Sequence, residues 1–221
     1  YRELLDRNYA KTDWTRPRAE QVLRRMDSIL ALLPRAQKQA HERIIGERPV
    51  PNRDKILSLY ETDTRVIVRG KAGAEVEFGN KLFLSESLDG LIVVFYLARE
   101  GAPSDAPQLL DSVIRIEQAL PVQIRRAVTD RGCDSADSRA FMEALNIENG
   151  ICPKSPRRLK DRLREVEFVR WQRRRAQPEG RIGILKNQFL GRPLRAKGFE
   201  HRELAVSWAV LAHNLWVLAR M

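Results

Sequence analysis

The sequence predicts a mixed α/β domain preceded by a helical segment. Three observations carry that reading. Residues 1–48 look helical and show no strand signal. After Lys55, short β-branched runs alternate with helical ones in the order strand, strand, helix, strand, helix, strand, helix. One Asp-Gly pair, Asp89-Gly90, sits between two apolar runs and marks a hairpin. The chain of 221 residues is 43% hydrophobic, enough for a buried core. The expected division is a helical insertion or linker over 1–54 and an α/β core over 55–221.

Taken in order, Tyr1 to Ala10 reads as a short amphipathic helix. Pro17 to Leu33 carries Val22, Leu23, Met26, Ile29, Leu30 and Leu33 at helical spacing. Pro34 is expected to punctuate that helix, with a second piece from Gln37 to Ile45, and Pro49, Pro51 and Asn52 make a break. Thr64 to Arg69 is a β-branched run ending at Gly70, and Glu75 to Ser87 reads as one strand. Leu91 to Ala98 is apolar enough for a buried strand. Pro103 and Ser104 open a helix through Leu120, with Leu109, Leu110, Val113, Ile114 and Ile116 on its buried side. Arg126 to Thr129 is a short strand, Ala136 to Leu145 a helix, and Ile151-Cys152 a brief strand closed by Pro153. Basic helical segments reach Gly191, and Glu200 to Arg220 is an apolar closing helix. A hairpin followed by strand–helix units fits a sheet that is antiparallel on one side and parallel on the other. The ribonuclease H-like fold has this layout, as do other α/β folds.

The formal net charge is +11, which bears on partners and not on fold. From Pro153 to Arg202 there are sixteen Lys and Arg against five Asp and Glu, so this window holds nearly all the excess. Nucleic acid is the leading partner, ahead of an anionic membrane surface, because no basic amphipathic helix offers a large aromatic face. Cys133 and Cys152 lack a zinc-like spacing and read as reduced thiols of a cytosolic protein. No secretory signal is seen, and His213 and Asn214 interrupt the longest apolar stretch, so no transmembrane span is expected. His213, within that apolar helix, reads as a hydrogen-bonded core residue.

Two segments carry candidate chemistry. In Thr129-Asp130-Arg131-Gly132 an acidic residue stands just past a strand end, before a glycine that permits a sharp turn. Strand ends hold catalytic carboxylates rigidly over a crevice. An ordinary turn Asp bonded to its own backbone fits these residues equally well. In Arg175 to Lys186, Pro178 suits a first helical turn and Glu179 gains from the helix dipole there. Glu179, Gly183 and Lys186 share a face, and Gly180 and Gly183 leave the helix bare for a close approach by another backbone or a DNA strand. A solvated charged helix is the plainer reading of an isolated Glu and Lys.

The spacing Arg175, three residues, Glu179, six residues, Lys186 resembles the Arg–Glu–Lys part of the tyrosine–arginine–glutamate–lysine signature of bacterial DDE insertion-sequence transposases. Thr-Asp130-Arg-Gly-Cys-Asp-Ser resembles that family's second-Asp motif. Arg69-Gly70-Lys71-Ala72-Gly73 with Val76-Glu77-Phe78-Gly79-Asn80-Lys81 is similar to the segment leading into its second core strand. Leu211-Ala212-His213-Asn214-Leu215 is like its closing helix. The resemblance covers about residues 55–220, and four motifs in the right order make it specific. Two departures stand out. The signature's Tyr falls at Gln172, beside Trp171. The family's first Asp belongs to a strand ahead of the helical insertion, so it is expected before Tyr1, and Asp63 is not taken for it.

The resemblance implies a ribonuclease H-like catalytic domain performing DNA transposition with two Mg²⁺ or Mn²⁺ ions. It implies Asp130 and Glu179 as metal ligands, with Arg175 and Lys186 beside the scissile phosphate. Arg69, Lys71, Lys154, Arg157, Arg158, Arg173, Arg174 and Arg181 are the expected DNA contacts, and binding should be strongly salt-dependent. Trp171 could stack on a flipped base, although a packing anchor is its commoner role. The partners implied are the element ends and target DNA, with a homo-oligomer in the synaptic complex and a bacterial cytoplasmic setting. The alternatives are a DNA-binding remnant of a decayed transposase that no longer cuts, and a nuclease that cuts without joining.

Overall fold

The computed structural model describes all residues except Ala72, Gly73 and Arg192, and the side chains of residues 69–75 and of Ala176 also lie outside the described residues. The chain forms two compact units, Tyr1–Gly79 and Asn80–Met221.

In the first unit, α1 (Arg2–Asn8) lies against α2 (Arg16–Ile44), with the Arg2 guanidinium 2.9 Å from Asp27. Pro17 sits in the first turn of α2, where its missing N–H breaks no bond. Pro34 does not end the helix as expected: α2 runs through it for another ten residues. An interior proline frees one carbonyl a turn earlier, here that of Leu30. Leu30 and Leu33 are 50% and 41% exposed, so water can satisfy the freed group while Ala, Leu, Gln and Lys on either side favour helix. Only Ala19 and Leu23 of α2 are fully buried, a narrower stripe than the spacing suggested. The Gln39 amide clamps the Ile56 backbone, accepting from its N–H at 2.7 Å and donating to its carbonyl at 3.1 Å. Strands β1 (Arg65–Lys71) and β2 (Ala74–Gly79) then pair antiparallel.

The strand expected over Glu75 to Ser87 is two strands. β2 ends at Gly79, and the backbone changes partner: Ala98 N–H donates to Lys81 O at 2.8 Å, and the Asn80 amide donates to Ala98 O at 2.8 Å. β3 (Leu82–Glu86) thus begins a new antiparallel pair with β4 (Ile92–Leu97), in which Leu84 faces Phe95. The Asp89-Gly90 turn is where the sequence put it.

Alternation along β3 builds two cores. Leu82 and Leu84 pack with Ile92, Leu185, Val206, Ala209 and Val210 beneath α8 (Phe199–Leu218). Phe83, on the other face, packs with Leu109 and Val113 of α3 (Asp105–Ala119) and with Met142, Ile147 and Ile151. β5 (Arg126–Thr129) and β6 (Glu148–Ile151) pair parallel, joined through α4 (Ala136–Ala144), whose Ser135 cap accepts the Ser138 N–H at 2.9 Å. Beyond β6 come α5 (Pro156–Arg162), α6 (Val166–Arg174), α7 (Ala176–Ile184) and a π-helical turn, Leu185–Leu190. The Asn214 side chain grips the Ile92 backbone with two bonds of 2.9 Å. His213 is fully buried, 3.3 Å from Asn214 Oδ1 and edge-on to Phe189, as a core histidine should be. The polar interruption of α8 is therefore an anchor onto β4.

The mixed α/β class holds, with a difference in the sheet. Among the described residues the strands form three two-stranded sheets, two antiparallel and one parallel, in place of a single mixed sheet. Among the described residues each strand has one hydrogen-bonded neighbour, so neither the β3–β4 ladder nor the four-residue β5–β6 ladder extends there. No described helix is long and apolar enough to cross a membrane.

Candidate active site

Asp130 stands immediately beyond β5, in extended backbone, capping the turn Arg131–Cys133. Its Oδ1 accepts the Gly132 N–H at 2.8 Å. The turn-Asp reading is thus realised through one oxygen. Glycine at 132 leaves room for two carboxylates, a reason that local pattern does not reveal. A Cβ there would lie 2.5 Å from Asp105 Oδ2 and 2.9 Å from Asp130 Oδ1. Two carboxylates therefore close over the Gly132 Cα, one from β5 and one from the start of α3. Lys81 balances the second, with Nζ 2.8 Å from Asp105 Oδ1 and 2.7 Å from the Pro103 carbonyl. Beneath them, burial pushes the Cys133 thiol up to about 11, and the Asp130 and Asp105 charges add to the rise.

The motif's next acid, Asp134, points inward. It is buried, ion-paired with Arg139, and accepts the Lys154 N–H at 2.8 Å. Burial pushes its carboxyl up, but the Lys154 and Arg139 hydrogen bonds outweigh this and hold it below the ordinary carboxylate range. Asp134 thereby ties the Asp130 turn to the segment that begins the basic region. An open hollow beside it is lined by Asn149, Pro153, Arg158 and Arg162.

Helix α6 is fixed over the ends of β5 and β6. Arg126 covers the Trp171 ring at 4.1 Å and pairs with Glu148. Trp171 is therefore a packing anchor, with a ring face already occupied. Next to it, Gln172 Nε2 donates to Gly150 O at 2.6 Å and to Thr129 O at 3.4 Å. Gln172 Oε1 accepts from Arg175 Nε at 3.2 Å, and Arg175 Nη1 lies 3.7 Å from Glu179 Oε1. The Glu179 side chain is 73% exposed. A Cβ on Gly180 or Gly183 would meet nothing within 4 Å, so the helix surface around Glu179 is bare, as expected. The regular face reaches only Gly183, because Lys186 falls in the π-helical turn, half-buried.

The expected DNA contacts divide into groups. Lys154, Arg157, Arg158 and Arg173 are exposed. Arg174 donates to the Leu88 carbonyl, while Arg181 lies 3.5 Å from Glu86 and reaches the Asp89 carbonyl, so both dock α6–α7 on the β3–β4 turn. Gly90 makes that possible, since a Cβ there would coincide with the Arg181 guanidinium. Burial raises the Glu86 carboxyl above its usual range, against the pull of Arg181 and Arg174. Arg69 and Lys71 lie on β1, and their side chains are outside the described residues.

Asp130 and Glu179 make no direct hydrogen bond or ion pair with each other. Their oxygens are hard donors that suit Mg²⁺ or Mn²⁺ in kind. Among the described residues they do not converge with a third ligand into a metal-holding group. Asp105, Lys81 and Asp134 were missed as site residues by sequence reasoning, although Lys81 and Asp134 both lay inside quoted motifs. Gln172 was noticed as a departure, not as a contact. A family model described as the transposase DDE domain matches residues 67–215, more than half of the chain. Neither the curated proteins nor the solved structures gave a match.

Proposed function

The chain belongs to the DDE-domain transposase family, and we propose that it catalyses metal-dependent DNA cleavage and strand transfer of an insertion sequence. The observation that supports this most is the side-chain connection from the strand end bearing Asp130, through Gln172 and Arg175, to Glu179 on a bare helix start. That connection joins the two motifs that the spacing picked out independently. The exposed cations Lys154, Arg157, Arg158 and Arg173 flank it.

In this reading residues 55–221 are the catalytic core and Asp130 and Glu179 hold the metal. Bound Mg²⁺ or Mn²⁺ supplies activation of water or a DNA 3′-hydroxyl and neutralises charge on the leaving oxygen. The chain's own groups orient the phosphodiester. Arg175 is held by Gln172 beside Glu179 and offers its guanidinium to a phosphate oxygen. Lys186, one turn beyond Gly183, supplies a second positive charge. The bare helix surface at Gly180 and Gly183 lets the sugar-phosphate backbone come close. The partners are the element ends and target DNA, with more than one protomer in the synapse.

The test is nicking of plasmid carrying the element ends, with Mg²⁺ or Mn²⁺, by the wild-type protein and by Asp130→Ala and Glu179→Ala. We expect each variant to lose about 100-fold or more in rate while melting normally and retaining DNA in a gel shift. Both carboxylates are exposed, so their loss should spare the fold. Full activity in both folded variants sinks the site assignment. Salt-sensitive binding with no cleavage by the wild type supports the decayed-remnant reading, and cutting without joined products supports a nuclease.

A further inference from the structure

We infer that Gln172 is a positioning residue that sets the Arg175–Glu179 pair against the strand end bearing Asp130; this rests on the roles proposed above for those residues. One primary amide does two jobs. Its N–H₂ reaches across to Gly150 O at 2.6 Å and Thr129 O at 3.4 Å, the carbonyls at the ends of two parallel strands. Thr129 O also accepts the Cys152 N–H at 3.0 Å, so this carbonyl belongs to the β5–β6 framework, one residue before Asp130. Its carbonyl oxygen meanwhile takes the Arg175 Nε–H at 3.2 Å.

Arg175 occupies the junction of α6 and α7, where its backbone N–H bonds Trp171 O at 3.0 Å. Its guanidinium faces Glu179 at 3.7 Å. A guanidinium on a long stem has many rotamers, and a side-chain acceptor at Nε selects one of them. Trp171, pinned under Arg126, fixes the same helix against β5 on the neighbouring position. The junction is thus held at two adjacent residues, Trp171 at the start of β5 and Gln172 at its end, and it is the Gln172 side chain that links onward to the Arg175 guanidinium. Few side chains fit this task. A carboxylate keeps the acceptor but loses both donors, and a thioether of equal length keeps neither.

The experiment compares the whole protein with Gln172→Met and Gln172→Glu by amide hydrogen exchange and by nicking kinetics. In Q172M we expect faster exchange over residues 171–184, with α4 and α8 as protected as before. The nicking kcat should fall about 10- to 100-fold with KM for DNA within about twofold, because the residue positions groups and does not itself bind DNA. Q172E should keep more protection around Arg175 than Q172M and show an intermediate kcat. Unchanged exchange in Q172M overturns the inference. So does loss of protection throughout α4 and α8, which would make Gln172 a packing residue, or a raised KM at constant kcat, which would make it a DNA contact. A wild-type protein that never nicks refutes the proposed function, while the exchange measurement still decides the role of Gln172.

Discussion

Substituting alanine for Gly183 separates stability from function at the site. Gly183 lies in α7 with helical backbone, and an added Cβ meets no atom within 4 Å. Glycine inside a helix is less favourable than alanine by about 0.5–1 kcal/mol, because the unfolded chain is freer. With no clash to offset this gain, Gly183→Ala should raise stability by about that amount, or the melting temperature by about 1–4 °C for a domain of this size. Glu179 stands one turn earlier on the same face. If a DNA backbone lies against that bare surface, the new methyl group holds it off the carboxylate, and nicking should drop about tenfold or more. Calorimetry on the purified protein gives the first number and a plasmid nicking time course the second. A more stable variant with wild-type nicking refutes the close approach. A less stable variant refutes the open placement of the helix.

Asp134→Ala should destabilise the protein by about 2–4 kcal/mol, since it strands Arg139 and the buried end of the Lys154 N–H bond; urea titration measures this. Because the Asp134 carboxyl is held below its unfolded value of 3.8, its contribution is present above that pH and is lost as acid protonates the folded group. Asp134→Asn should therefore flatten the loss of stability below about pH 4 relative to wild type. Cys133 is buried and its thiol sits near 11, whereas Cys152 is half-exposed, so a thiol reagent at pH 8 should label Cys152 and spare Cys133 in the native protein. The same shift, from 9.0 unfolded to about 11 folded, means stability falls as pH rises through that interval, and Cys133→Ala should remove this part of the slope. Equal labelling of both cysteines would contradict the buried placement.

What the sequence determined alone was whatever depends on near neighbours. The strand Arg126–Thr129 ends where the β-branched Val128 and Thr129 meet Asp-Arg-Gly, and the structure ends it there too. The Asp89-Gly90 turn and the apolar closing helix followed from the same short-range chemistry. Family membership was legible for the same reason, because its motifs are short runs with fixed spacing. Pro34 shows the limit even of local rules, since an exposed helix with strong helix formers on both sides tolerates it. The break at Gly79 and the pairing of strands two by two depended on which distant strand offered a hydrogen-bonded edge. Only the tertiary structure placed Asp105 over Gly132, Arg174 and Arg181 on the hairpin turn, and Gln172 between two strand ends and Arg175. Apart from the Gln172–Arg175 bond, which spans one helical turn, those contacts join residues from about 20 to more than 90 positions apart, and no periodicity reports them. A side chain's type constrains what it can bond, but chain folding decides which carbonyl or carboxylate is within 3 Å of it.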